Sequence, residues 1–127
     1  MAHRCPGAKF WGLATTPGRL AFSVRREGEV YGVATIVDCE DSEVTGVLWE
    51  VTRTHLRDLD YYEGHPEVYR REIRLVNDGR PREAAVYVLP VVAPAGPHPH
   101  YLATILAGYR RHEIDPTPVL AWTGDRE

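Results

Sequence analysis

The sequence predicts an α+β fold built on an antiparallel or mixed curled sheet. Three observations carry this. Short segments of strand character succeed one another between turn residues, only two stretches show helical spacing, and strands and helices do not alternate as a doubly wound parallel sheet requires. Residues 10–15 form the first expected strand, and Pro17-Gly18 the turn after it. Residues 20–24 form a second strand, closed by Arg25-Arg26-Glu27-Gly28, and residues 33–37 a third, ending in the acidic turn Asp38-Cys39-Glu40-Asp41. Residues 44–51 form a fourth.

Thr52 or Thr54 can cap the helix that follows, which runs to about Glu63 with Leu56 and Leu59 on its inner face. Residues 69–76 then alternate, Tyr69, Arg71, Ile73 and Leu75 on one side against Arg70, Glu72, Arg74 and Val76 on the other. Asn77-Asp78-Gly79 is a strong hairpin signal, and residues 84–89 make the return strand. The arginines of this region read as a solvated strand face partly balanced by Glu67 and Glu72. Residues 90–97 are a proline-rich loop. Residues 100–112 form the clearest helix, with Tyr101, Leu102, Ile105, Leu106 and Tyr109 on one apolar face. Pro116 and Pro118 are expected to end regular structure, leaving Val119, Leu120 and Trp122 as a short apolar tail.

With 127 residues the chain fits a single domain, residues 1–127, large enough to bury a core. A net charge of −3 leaves no electrostatic footprint for nucleic acid. No apolar run is long enough to span a membrane, and no apolar stretch follows Met1-Ala2-His3-Arg4 as a secretion signal would need, so the expected location is the cytoplasm. Cys5 and Cys39 then read as free thiols. His98 and His100, or His3 with Cys5, fall short of a ligand set, so no metal is expected. No glycine-rich phosphate loop and no Gly-x-Ser-x-Gly elbow is present.

One local pattern points to chemistry. In Leu59-Asp60-Tyr61-Tyr62-Glu63-Gly64 a carboxylate ends a helical run and a glycine turns the chain directly after it. Such a carboxylate can face a cavity and act as a general acid/base, or it can be an exposed glutamate of a last helical turn. Tyr61 and Tyr62 beside it can wall a pocket or simply pack on the helix.

The same segment, extended to Tyr69, resembles the Leu-Asp-x-x-Glu-Gly-x4-Tyr signature of the gamma-glutamylcyclotransferase family. Further blocks follow in family order. Arg4-Cys5-Pro6-Gly7-Ala8 with Gly12 and Ala14 resembles its Arg-Cys-Pro run, Val44-Thr45-Gly46-Val47-Leu48-Trp49 its Val-x-Gly strand, and Pro97-His98-Pro99-His100-Tyr101 its Pro-x-Pro-x-Tyr approach to the final helix. The resemblance implies a small curled mixed or antiparallel β-barrel with two flanking helices. It implies conversion of a gamma-glutamyl amide to 5-oxoproline and a free amine, with Glu63 as the catalytic acid/base and without metal or organic cofactor. It also places Tyr101 and Tyr69 as substrate-binding residues, and the partner as a small molecule. The chain departs from the family pattern in one place: nothing like the family's first strand and Tyr-Gly-Ser-Asn-type loop precedes Arg4. That departure predicts an open cleft next to Glu63, lined by strand ends and poor in backbone donors. It also keeps a second reading alive, a non-catalytic family member that binds a small molecule or a protein.

Overall fold

The computed structural model describes residues 5–89 and 93–120. Arg4 of the Arg-Cys-Pro run, residues 90–92 of the proline-rich loop and Trp122 of the tail lie outside them. Six strands and three helices follow in the order β1 (Lys9–Pro17), β2 (Arg19–Ser23), β3 (Val33–Val37), β4 (Glu43–Glu50), α1 (Arg53–Glu63), β5 (Arg70–Asn77), β6 (Pro81–Val88), α2 (Pro99–Arg111) and α3 (Thr117–Leu120). The class is α+β, with antiparallel pairing in each ladder between these strands.

A four-stranded sheet has the order β4-β1-β5-β6, and β2 and β3 form a second, two-stranded sheet. β1 meets β5 at a single pair, Thr15 with Asn77. β2 also touches β4, and β3 touches β6. The strands therefore succeed one another around the molecule as a ring, as the resemblance implied, but ladders join them only within the two sheets. Among the described residues, β4 and β6 each keep one edge without a ladder partner. No helix among them is long and apolar enough to cross a membrane.

Several boundaries differ from expectation for local reasons. Pro17 extends β1 by pairing opposite Glu43, and Gly18 turns the chain at φ 141°. A strand's last residue tolerates proline, which lacks only the donor. β6 starts at Pro81 because Asn77 and Pro81 pair directly across the Asp78–Arg80 turn. The larger correction is α3. Pro116 and Pro118 do not end regular structure. The Asp115 carboxylate accepts from the Thr117 N–H at 3.0 Å, and the Val119 and Leu120 N–H groups both donate to the Pro116 carbonyl. Proline fits a first helical turn because its missing N–H has no partner there.

The core holds Cys5, Phe22, Ser23 and Val119, all fully buried, with Ala21, Thr35, Val76 and Val88 nearly so. Its polar groups are satisfied. The Thr35 hydroxyl accepts from the Leu89 N–H at 2.9 Å, and the Ser23 hydroxyl accepts from the Ala93 N–H at 2.8 Å and donates to the Val24 carbonyl. The Phe22 ring meets Tyr101 of α2 edge-to-face at 6.3 Å, which ties the small sheet to the last helix. Phe22→Ala is expected to cost about 3–5 kcal/mol, read as the shift of a urea unfolding curve, because it removes a fully buried ring and leaves a cavity.

β5 shows the consequence of the open sheet edges. Val76, on the side that the alternation shares with Arg70, Glu72 and Arg74, is buried, whereas Ile73 and Leu75 are 65% and 62% exposed. The apolar half of the alternation does not face a closed core. Ile73 instead lines an open groove of about 870 Å³ between β4 and β6, with Leu56 and Leu59 of α1 at its side.

Candidate functional site

Thr52, rather than Thr54, caps α1. Its hydroxyl accepts from the His55 N–H at 3.1 Å, while His55 Nδ1 accepts from the Thr52 N–H at 3.1 Å. Histidine thus closes a capping box usually closed by Glu or Gln. With Nδ1 accepting, His55 Nε2 carries the proton and donates to the Pro6 carbonyl at 3.0 Å, and the Cys5 thiol faces the His55 carbonyl at 3.7 Å. The Cys5-Pro6 segment thereby fixes the start of α1.

The other end carries Glu63. Gly64 sits in the left-handed region at φ 68°, its N–H donates to the Tyr61 carbonyl and the His65 N–H donates to the Asp60 carbonyl. This is a Schellman stop, which favours glycine. A Cβ at Gly64 would also meet Val68 at 3.0 Å. The Tyr69 N–H donates back to the Glu63 carbonyl at 3.2 Å. Farther along α1, the Asp60 carboxylate accepts from the Tyr87 hydroxyl at 2.5 Å and pairs with Arg71 at 3.1 Å. The helix end that bears Glu63 is thus tied to both β5 and β6.

Glu63 lines a cavity of about 590 Å³ together with Tyr69, Tyr101, Tyr87, Arg25 and Arg26, with Tyr61 and Tyr62 at its rim. Tyr61 and Tyr62 are 84% and 56% exposed, so neither belongs to the core. A single backbone unit orients the other two phenols. The Tyr69 hydroxyl donates to the Ala34 carbonyl at 2.8 Å, and the Tyr101 oxygen accepts from the Ala34 N–H at 2.8 Å. The two hydroxyls are left with opposite capacities. Tyr101 keeps its proton to donate, and Tyr69 keeps its oxygen to accept. Burial pushes both phenols above their ordinary pKa, and the charge of Glu63 pushes the same way, so both stay protonated at neutral pH.

The structure brings Glu63, Tyr69 and Tyr101 into one cavity. Sequence reasoning missed Arg25 and Arg26, which it read as the close of a strand, and Tyr87 and Asp60. The only local signal for the arginines was their adjacency before a glycine turn. The basic cluster is structural: Arg70 and Arg74 pair with Glu72 at 2.8 and 3.2 Å, and Arg71 with Asp60. His98 is a helix cap whose Nδ1 accepts from the His100 N–H at 3.1 Å. Glu63 also borders the groove between β4 and β6, so an open cleft does lie beside it.

Four carboxylates are held below their ordinary pKa values by hydrogen bonds: Glu29 by Arg25, Glu72 by Arg70, Asp78 by the Trp11 indole and Asp115 by Thr117. A lowered carboxylate favours the folded state fully above its ordinary value, 4.5 for Glu and 3.8 for Asp, and loses that contribution as pH falls through its lower folded value. The stabilisation from these four carboxylates should therefore be lost as pH falls below about 4.5, read as a drop in melting temperature by circular dichroism there.

A small α+β protein with a carboxylate and an oriented phenol pair lining one open cavity has the form of a small-molecule site. Comparison with known families narrows this. The sequence model of the family described as gamma-glutamyl cyclotransferase, AIG2-like, matches residues 3–105, and the chain belongs to that family. Solved structures agree on the fold. The uncharacterized protein loc79017 from Homo sapiens is 24% identical, with a TM-score of 0.86 over 99% of this chain and 81% of its own. A protein named gamma-glutamyl cyclotransferase is 23% identical, with a TM-score of 0.84 over 97% and 78%. YkqA from Bacillus subtilis is 21% identical, with a TM-score of 0.77 over 94% and 44%. A search of curated proteins gives no match.

Proposed function

We propose that the chain converts a gamma-glutamyl amide to 5-oxoproline and a free amine, in a cytoplasmic setting and without metal or organic cofactor, with Glu63 as general acid/base. The supporting observation is the placement of Glu63 at a glycine-stopped helix end, in one cavity with two phenols oriented in opposite senses by Ala34.

The chemistry is intramolecular. The substrate's α-amine attacks its own side-chain carbonyl, a C–N bond to that carbon forms, and the original amide C–N bond breaks. Ring closure to five members needs little from the protein beyond holding the chain folded back. Glu63 takes the proton that the attacking amine loses and returns it to the leaving nitrogen. The Tyr101 O–H is suited to donate to a substrate oxygen, and the Tyr69 oxygen to accept from the substrate amine.

The test is release of 5-oxoproline, measured by mass spectrometry, from a panel of gamma-glutamyl amides with different amines. Release from any member supports the reading, and release from none rejects it. The second reading, a binding module, is favoured by one observation: the groove between the unpaired edges of β4 and β6 opens beside Glu63, where an oxyanion would need donors. We propose that a further strand and donor loop of the family kind belong in that groove.

A further inference from the structure

We infer that Arg26 anchors a carboxylate of the ligand that occupies the Glu63 cavity. The inference rests on the functional reading above for the ligand's identity, and on the following geometry for the anchor.

Residues 24–32 form the loop between β2 and β3, and it is pinned at both ends. The Val24 N–H donates to the Ala93 carbonyl at 3.1 Å, and the Gly32 N–H to the Gly96 carbonyl at 2.9 Å. The second contact is close enough that a Cβ on Gly32 would lie 2.2 Å from the Ala95 oxygen. Between these points the loop closes on itself. Glu29 accepts from the Arg25 N–H at 3.0 Å and from its guanidinium at 2.9 Å, and the Glu29 N–H donates to the Arg26 carbonyl at 3.3 Å.

The two arginines of this loop differ in consequence. Glu29 takes the charge of Arg25. Arg26 forms no ion pair among the described residues, yet it lines the same cavity as Glu63, Tyr69 and Tyr101. An arginine on a mobile loop is ordinarily a solvated charge. Here the backbone that carries it is fixed at the cavity, and guanidinium is the side chain best shaped to hold a carboxylate through two parallel hydrogen bonds. The cavity is therefore lined by the Glu63 carboxylate and by a guanidinium that has no ion-pair partner among the described residues. That matches a ligand with an amine for Glu63 and a carboxylate for Arg26. A gamma-glutamyl amide has such a carboxylate on its own α-carbon, and a second one when the leaving amine is an amino acid.

The experiment uses Glu63→Gln protein, so that ligands bind without turning over. Gamma-glutamylalanine and gamma-glutamylethylamide are titrated by calorimetry, with and without Arg26→Gln. Loss of a charge-assisted pair should weaken gamma-glutamylalanine by about tenfold to a hundredfold, and Arg26→Lys should recover part of it. An equal loss for the ethylamide assigns the anchored group to the glutamyl α-carboxylate. A loss confined to gamma-glutamylalanine assigns it to the leaving amine. Unchanged binding of both ligands in Arg26→Gln overturns the inference, and so does failure of both ligands to bind the Glu63→Gln protein. Cyclisation is scored separately with Glu63 in place. Arg26-dependent binding without 5-oxoproline release rejects the functional reading and leaves the anchor standing.

Discussion

Glu63→Gln should lower the rate of 5-oxoproline release by about two to four powers of ten, the range for loss of a positioned proton-transfer group. The amide keeps the size of the side chain and both of its polar atoms, but it cannot accept and return a proton at neutral pH. The reaction needs both transfers, from the attacking amine and to the leaving amine, so there is no step in which the substitution is harmless. The effect should appear in kcat more than in KM, because the lost interaction belongs to the transition state. The melting temperature, measured alongside, separates this from a folding defect. A Glu63→Gln protein that cyclises at the rate of the unaltered chain would remove Glu63 from the mechanism and favour the binding-module reading.

The second large effect concerns the groove. Among the described residues β4 and β6 each keep an edge without a ladder partner, both strands line the groove, and Ile73, Leu56 and Leu59 are apolar groups on its walls. An unpaired edge is a row of backbone donors and acceptors ready for another strand. A strand entering there would pair with both edges and cover those side chains. If it leads into a loop whose N–H groups point at the Glu63 cavity, it also supplies oxyanion donors, each worth about a hundredfold or more in rate. A chain extended before Met1 by a strand and a Tyr-Gly-Ser-Asn-type loop is therefore expected to release 5-oxoproline at least about a hundredfold faster than the 127-residue chain. Its melting temperature should rise as well, since apolar surface is removed from water. Equal rates for the two chains would mean that donors already present in the 127 residues suffice, and that the groove has another use.

Much of this molecule was legible from local patterns, because the responsible interactions are local. The Asn77-Asp78-Gly79 turn, the α1 cap at Thr52, the glycine stop after Glu63 and the apolar stripe of α2 each depend on residues within a few positions of one another. So does the error at α3. Pro116 and Pro118 look like breakers in isolation, but a proline within a first turn breaks nothing, and Asp115 supplies the cap. Glu63, Tyr69 and Tyr101 came from a resemblance carried by spaced motifs, and the family match agrees with it.

By itself, the sequence determined the class of fold, the family, and the single carboxylate placed at a helix end, since periodicity, turn chemistry and motif order are written along the chain. Tertiary structure decided what surrounds that carboxylate. Ala34, Arg25 and Arg26 all lie far along the chain from Glu63 and Tyr101, and no local rule links them. Ring-like packing of the strands brings them together, and the backbone of Ala34 then gives two chemically identical phenols opposite hydrogen-bonding roles. The same packing decided that Ile73 lines an open groove and that Leu75 stays exposed, because whether an apolar strand face is covered depends on which strands lie beside it, not on its own alternation.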